Sequence, residues 1–540
     1  MRFRYLLILL PGILWSTWGR SQSVYLAPAD PGITELLDEL AMNHVIDINS
    51  VSLPYSRTDI ALKLFQASLP GEKLTFRQKE EISFYLQNFA PEIYKAGFKV
   101  NKPERKVSLL FSTHPVSLEF SKGKIAGSVR PLIDFQQIVN VNNSVSQLNI
   151  GVGAFIYLGK HLGVAAGITR LWTNQILSEP VYLTQQPGGS WNRYSDGGGD
   201  FAEWFGQISW SWKWGMIGVF KDRFQWGENY HGANIISDRA PSFPRLRLNL
   251  NPARWMEFEY YHGWLQPESI DSAETLTGSG MEVVRVNKYM AANLVTFKPW
   301  KYLNLAIGNS IVYDGQIQLA YFIPVLFFKS VDHTLTHGID NENSQMYFSI
   351  SSRQIRHLNL YLTLFIDELK ISRIRSSEEH NFLGWKAGLK VCDFPLKDLS
   401  FILEGTRTLP GTYQHYAPSL TYENDGYNLG QYLRDNSMEI YTSLRYRPLR
   451  GLELAAGYTF ARHGVDYTYA QGGAITTYPV LDPVAWQMSQ VDLTASYSIC
   501  SNLFFSLGYQ YRSTRGDVRY TPPVYLGETS SLVAGLRLGF

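Results

Sequence analysis

Between Trp214 and Leu250 the chain reads WGMIGVFKDRFQWGENYHGANIISDRAPSFPRLRLNL, and the chemistry such a stretch supports is recognition. Residues 216–221 alternate as a strand would, after which Lys221, Asp222, Arg223, Trp226, Glu228, Tyr230, His231, Asn234, Asp238, Arg239, Arg245 and Arg247 crowd together. Sugar rings lie on aromatic faces, and guanidinium groups take carboxylates through paired hydrogen bonds. We therefore expect a site for a hydroxyl-rich, often acidic polysaccharide built from Lys221, Asp222, Arg223, Trp226, Tyr230, His231, Asn234, Asp238, Arg239 and Arg245. For the charged members taken singly, the plainer expectation is that they pair with one another and brace an interior.

Bond-making chemistry has no comparable support. The chain contains no G-x-S-x-G elbow, no H-E-x-x-H, no phosphate loop and no cysteine pair at metal spacing, so no enzyme is expected. Asp332-His333 with His337 and Asp340 sets imidazoles four apart, but in a predicted loop with no helix to align them. Asp196-Gly-Gly-Gly-Asp200 and Asn424-Asp425-Gly426 offer oxygens in turns, which ordinary turn chemistry explains. No metal and no cofactor is expected. Cys392 and Cys500, far apart in sequence, read as two unpaired thiols.

The elements that would position the recognition segment announce themselves by period. From about Val107 onward residues alternate every second position: Val491, Leu493, Ala495, Tyr497 and Ile499 are apolar, with Asp492, Thr494, Ser496 and Ser498 between them. Leu503–Arg512 repeats the dyad, and in Met438–Tyr446 it is Glu439, Tyr441, Ser443 and Arg445 that would point inward. The final SSLVAGLRLGF alternates likewise and places Phe540 in an aromatic girdle, in the manner of a terminal insertion mark. One face suits hydrocarbon, the other water. The 33 Tyr and 14 Trp suit interfacial belts, and 49 Lys+Arg against 47 Asp+Glu leave no basic excess for nucleic acid.

Connection lengths separate a membrane barrel from a soluble sandwich. Eight short turns, at 158–161, 213–215, 251–254, 298–301, 351–356, 393–398, 447–450 and 500–502, alternate strictly with long loops rich in Gly, Asp, Asn, Tyr and Trp. The fold expected is an all-β transmembrane barrel of roughly 18 antiparallel strands over 107–540. Ahead of it, Arg2 and Arg4 precede an apolar run too short to span a bilayer, a secretory signal over 1–21. Residues 22–106 then carry three short amphipathic helices, opened by Asp30-Pro31, Ser56–Asp59 and Thr75–Gln78, which form a small periplasmic α-helical bundle against the barrel.

The central segment resembles the signature of the Wzi family of capsule-assembly outer-membrane proteins. Lys221-Asp222-Arg223, Trp226-Gly227, Gly232, Ile236-Ser237, Ala240-Pro241 and Pro244 carry the likeness; so does the order of signal, helical bundle and barrel, with Leu53-Pro54-Tyr55 and Asp59 in the bundle. Glu228-Asn229 departs from it, since Pro-Gly is expected after Trp226-Gly227. The resemblance implies an outer-membrane lectin that assembles or holds capsular or similar surface polysaccharide. Its expected partners are that polysaccharide, outer-membrane lipid, the barrel-insertion machinery, and periplasmic or polysaccharide-export proteins. The bundle would then lie in the periplasm and the long loops outside the cell. The alternative is an outer-membrane porin or substrate-selective channel, with inward Arg445, Arg512 and Arg537 setting ion preference.

Overall fold

Period-two alternation along four hundred residues closes into a ring. The computed structural model describes residues 24–25, 31–70, 74–95, 106–108, 116–141, 143–267, 285–335, 342–376, 378–467, 475–500 and 502–539. The expected signal, Asp30, His337, Asp340 and Phe540 lie outside them. The wall runs β1 (Ile125–Asn140), β2 (Ser144–Leu158), β3 (Leu162–Thr173), β4 (Gly199–Trp212), β5 (Gly215–Asp222) and β6 (Phe243–Ala253). It continues through β7 (Met256–Leu265), β8 (Lys288–Phe297), β9 (Leu303–Asp314), β10 (Glu342–Ser352), β11 (Leu358–Glu368) and β12 (Phe382–Cys392). The last six strands are β13 (Leu399–Thr408), β14 (Ser437–Leu449), β15 (Leu452–Gly464), β16 (Val484–Cys500), β17 (Leu503–Gly516) and β18 (Glu528–Leu538). Each strand pairs antiparallel with the next, and β18 returns to β1, so the expected 18-strand barrel is what forms.

Register fixes which face is which. Leu493 pairs with Tyr509 and both lie open on the outside, whereas Asp492 pairs with Gln510 inside and accepts from its amide at 2.8 Å. Glu439 and Ser443 are buried inside and Ile440 and Leu444 exposed outside, as the alternation predicts. No helix among the described residues is long and apolar enough to cross a membrane. All eight short turns are present at one end. At the other end one connection breaks the expected alternation: β1 and β2 are joined through 141–143 alone.

The seam between β18 and β1 is incomplete toward the turn end. β18 pairs with β1 only from Ile133 to Asn140. Below that, Ile125–Val129 would be an open edge, and Ser117–Lys122 pairs with it, itself backed by Lys106–Ser108.

The N-terminal helices are α1 (Pro31–Met42), α2 (Arg57–Ala67) and α3 (Phe76–Leu86), with a fourth, α4 (Ala90–Lys95), beyond the three expected. The second and third expected caps form: Ser56 Oγ accepts from Asp59 N at 3.1 Å, and Thr75 and Gln78 make a reciprocal capping box. Leu36, Leu40, Ile60, Leu64, Ile82 and Phe89 pack into their own core. The bundle sits within the turn-end mouth of the barrel, where Arg57 pairs with Glu92 at 2.7 Å and Tyr157 of β2 donates to Glu92 at 2.8 Å. On the far side Arg77 reaches Asp398 of a turn at 2.6 Å. Cys392 and Cys500 are unpaired and buried.

Candidate recognition segment and the loop face above it

After β5 the chain turns into the lumen. Gln225-Trp226 pairs antiparallel with Ser52-Leu53 of the bundle, and Gly227 N donates to Val51 O at 2.8 Å. On its other edge Trp226 exchanges backbone hydrogen bonds with Ile236, at 2.9 and 3.2 Å. Gly227 has φ 103°, a conformation that favours glycine, and it swings the chain from this ribbon to Glu228. The Glu228 carboxylate then accepts from Ser50 at 2.5 Å, Arg353 at 2.7 Å and Asn359 at 3.1 Å. The residue that departs from the family pattern is thus a fastening between the loop and the bundle.

The structure brings most of the ten expected residues together as a brace. Trp226 is 2% exposed, its ring enclosed by Phe224, Tyr261 and Tyr347 at centroid distances of 5.1–6.1 Å, which leaves no open face for a sugar. Asp222 and Arg245 are buried against each other, with the Arg245 guanidinium 4.0 Å over Phe224. Asn234 accepts from Thr363 at 2.8 Å and is fully enclosed. Arg223 donates to Glu203 at 2.9 Å and to the carbonyls of Gly188, Asp238, Arg239 and Ala240 at 2.7–3.0 Å. Arg239 donates to the carbonyls of Thr184, Tyr182 and Glu179 at 2.7–2.9 Å; burial pulls its guanidinium down to about 10. Tyr230 donates to Asp38 of α1 at 2.9 Å, and His231 stacks on Tyr441 at 3.9 Å beside Glu439 at 3.1 Å. Lys221 stands apart: it is on the outer parity of β5, with its ammonium 4.6 Å from the Trp204 ring and 2.9 Å from Ser242. Only Asp238 of the ten is exposed.

Sequence reading missed the partners these residues use, because they come from distant strands. Arg353 joins Asp38 at 2.8 Å to Glu228; Lys390 joins Glu35 at 2.5 Å and Asp38 at 2.9 Å; Arg445 stands 3.6 Å from Glu35. Arg447 and Arg77 both pair with Glu39. Burial alone would raise the Glu35 carboxyl, but Lys390, then Arg445 and Arg447, hold it at about 2; Asp38 and Glu39 are likewise held low. Across β10–β14 the lumen is filled: Gln345, Ser349, Thr363, Lys386 and Glu404 are buried. The opposite wall is wetter, with Thr494 exposed, Arg512 donating to Gln490 at 2.6 Å and Arg537 3.6 Å from Asp134. Above it the loops close over in two apolar clusters, Leu183–Tyr432–Trp486–Tyr520 and Ile138–Leu177–Val524–Tyr525.

Polar and aromatic groups do reach solvent on the β3–β4 loop. Arg193 clasps Glu179 with two hydrogen bonds of 2.5 and 3.0 Å, Tyr194 is 42% exposed, and Ser190 donates to Asp425 at 2.5 Å. Asp238 adjoins them, because the neighbouring Arg239 holds the carbonyls of Glu179 and Tyr182. The Asp196–Asp200 turn is organised by protein groups: Asp200 accepts from Arg170, Tyr194 and Asn192 at 2.7–3.2 Å. Elsewhere, at the turn end, His357, Cys392 and Asp393 bring potential metal-ligand atoms within 4.8 Å of one another. The Asp393 carboxylate there already accepts from Asn43 at 2.6 Å and from Asp398 N at 2.7 Å.

No family model matches the chain, and no curated protein does. Among solved structures it is similar to Wzi of Escherichia coli, described as an outer-membrane protein involved in group 1 capsule assembly and a carbohydrate-binding β-barrel. The TM-score is 0.57 at 11% identity, over 96% of this chain and 99% of that one. OccD3 of Pseudomonas aeruginosa matches at TM-score 0.44 and 9% identity, over 80% of this chain and 95% of that one. OccAB2 of Acinetobacter baumannii matches at 0.42 and 8%, over 77% and 99%. At these identities the likeness is one of fold: the chain has the architecture of outer-membrane β-barrels, and it shares with Wzi a fold that spans essentially its whole length.

Proposed function

We propose that this protein is a non-enzymatic outer-membrane barrel that binds surface polysaccharide on its loop end and thereby holds or assembles it at the cell exterior. The helical bundle then faces the periplasm, and the segment from Lys221 to Arg245 is chiefly the frame that holds the loops rigid. Sugar contact is assigned to the exposed Asp238, Arg193 and Tyr194, with the half-buried Tyr182 beside them. The observation that carries this reading is the Trp226 ribbon. It binds the loops to the bundle through the middle of the lumen, an investment in a stiff outer surface rather than in passage. The carbohydrate-binding description of Wzi, whose fold this chain shares, points the same way. Each contact is weak, about 1 kcal/mol or less, and a long polymer spanning many copies binds by avidity.

The test is retention. Cells carrying the intact protein should keep extracellular polysaccharide through washing, and purified protein should capture that polymer; undiminished retention in cells lacking the protein would end this reading. A channel is the second reading, favoured by the wet wall of β16–β18 and β1–β3. Planar-bilayer recording separates the two, since the braced lumen should give no steady current.

A further inference from the structure

Three neighbouring strands carry polar groups on the wrong face of the wall. Tyr261, Ala292 and Ser310 share the lumen parity of β7, β8 and β9, so the row Tyr260–Asn293–Asn309 points outward, as does His262 in the next row. Asn309 is six residues up from the start of its strand; on β17 the residue six up is Tyr509, outward in a wall of Leu507, Leu493 and Tyr511. An amide facing hydrocarbon at this height costs several kcal/mol unless something satisfies it.

The β9–β10 connection satisfies it from outside the barrel. Asn309 donates to Asn293 at 2.7 Å, Asn293 donates to the carbonyls of Pro324 and Leu326 at 2.9 Å each, and Phe328 N donates to Asn309 at 3.0 Å. Tyr260 donates to Tyr321 O at 2.7 Å, and Phe322 stacks on His262 at 4.1 Å. Tyr260, Ala291, Ile311, Tyr313, Tyr321 and Phe328 make a buried core between wall and connection. The connection therefore stands where lipid would otherwise stand, and it carries its own outward surface: Ile317 45% exposed, Leu319 81%, Ile323 48%, Val325 73% and Phe327 44%. From Gly315 to Phe328 the sequence GQIQLAYFIPVLFF holds no charged residue.

We infer that residues 315–328 are a strap immersed in the acyl chains of the outer leaflet. The apolar surface is continuous with the exposed wall residues Ile307 and Phe348 below it, so one hydrocarbon medium covers both. The Pro324 and Leu326 carbonyls and the Phe328 N–H point inward to the Asn pair, which is how irregular backbone is accommodated at membrane depth, while the exposed amides of Gln316 and Gln318 lie where the strap leaves the upper end of β9. The inference rests on the orientation proposed above, with the loop end outward, and not on polysaccharide binding.

The experiment places a nitroxide on Leu319→Cys or Val325→Cys of the full chain in lipopolysaccharide-containing vesicles. Ile307→Cys marks the wall and Arg193→Cys marks water; the native cysteines are buried, and the unsubstituted protein reports their background. Collision with oxygen should exceed collision with a nickel chelate several-fold at 319 and 325, as at 307. Chelate collision matching that at 193 would overturn the inference, and so would spin–spin broadening at 319 and 325, which would mean a second copy covers the strap. These side chains are exposed, so the substitutions spare the fold. Labelling of Arg193→Cys on intact cells with an impermeant thiol reagent reads orientation separately, so a failed orientation, a failed strap and a failed polysaccharide assay are three distinguishable results.

Discussion

Arg353, in the turn after β10, and Glu228, in the loop after β5, meet at 2.7 Å with each side chain 3% exposed, and the same guanidinium reaches Asp38 of the bundle at 2.8 Å. One cation thus joins the inward loop after β5 to the bundle. Removing one member of a buried charged cluster leaves the others desolvated without compensation, typically 3–5 kcal/mol. Arg353→Met should lower the Tm in detergent and expose the bundle to protease. Adding Glu228→Gln should recover part of the loss, because the uncompensated charge goes with it.

Trp226→Ala separates frame from contact. Truncating a buried Trp costs about 3–5 kcal/mol through lost packing and the cavity left behind. The variant should unfold at lower temperature. At a temperature where it remains folded, its capture of polysaccharide should fall far less than that of a variant altered on the exposed loop patch. An abolished capture with unchanged Tm would show instead that the ring itself meets the sugar.

On that patch, Arg193→Ala with Tyr194→Ala should leave the Tm almost unchanged, since exposed substitutions usually stay within about 0.5 kcal/mol. Retention of polymer on cells should drop several-fold, because a small loss per copy is multiplied along the chain. Retention equal to wild type would move the contact surface elsewhere on the loops.

The bundle should loosen in acid. Glu35, Asp38 and Glu39 all have folded-state pKa values below their unfolded ones, so the stability they contribute is complete above about pH 5. It is lost as pH falls through the folded values, about 2 for Glu35. The Tm should therefore decline from pH 5 toward pH 2.5, and Glu35→Gln should be less stable at neutral pH with a flatter decline.

The barrel was legible because an apolar face and a wet face impose a two-residue period, as Leu493 and Asp492 show, and because short turns alternate with long loops along it. Seven of the eight turns were legible because they carry the Gly, Pro, Asn or Asp that tight reversals favour; 351–356 holds none of these and is marked by a break in the alternation. What alternation hides is depth. Asn293 and Asn309 sit at outward positions that the period assigns to lipid, and only the fold shows the strap over them. In the same way Trp226 and Arg239 have the residue types of a sugar site, and what places them in the interior is a ribbon with Ser52-Leu53 more than 170 residues earlier in the chain. The expectation that the charged members brace one another was the part residue chemistry supported best, as Asp222 with Arg245 demonstrates.

The meeting of β18 with β1 leaves a rim to be covered. It holds only from Ile133 to Asn140, while the neighbouring β1–β2 ladder runs the full height from Ile125 to Val139. The strand Ser117–Lys122 occupies the stretch of β1 that β18 leaves open, so the backbone groups of Ile125–Val129 stay hydrogen-bonded and the cylinder offers no bare rim there for another chain to extend.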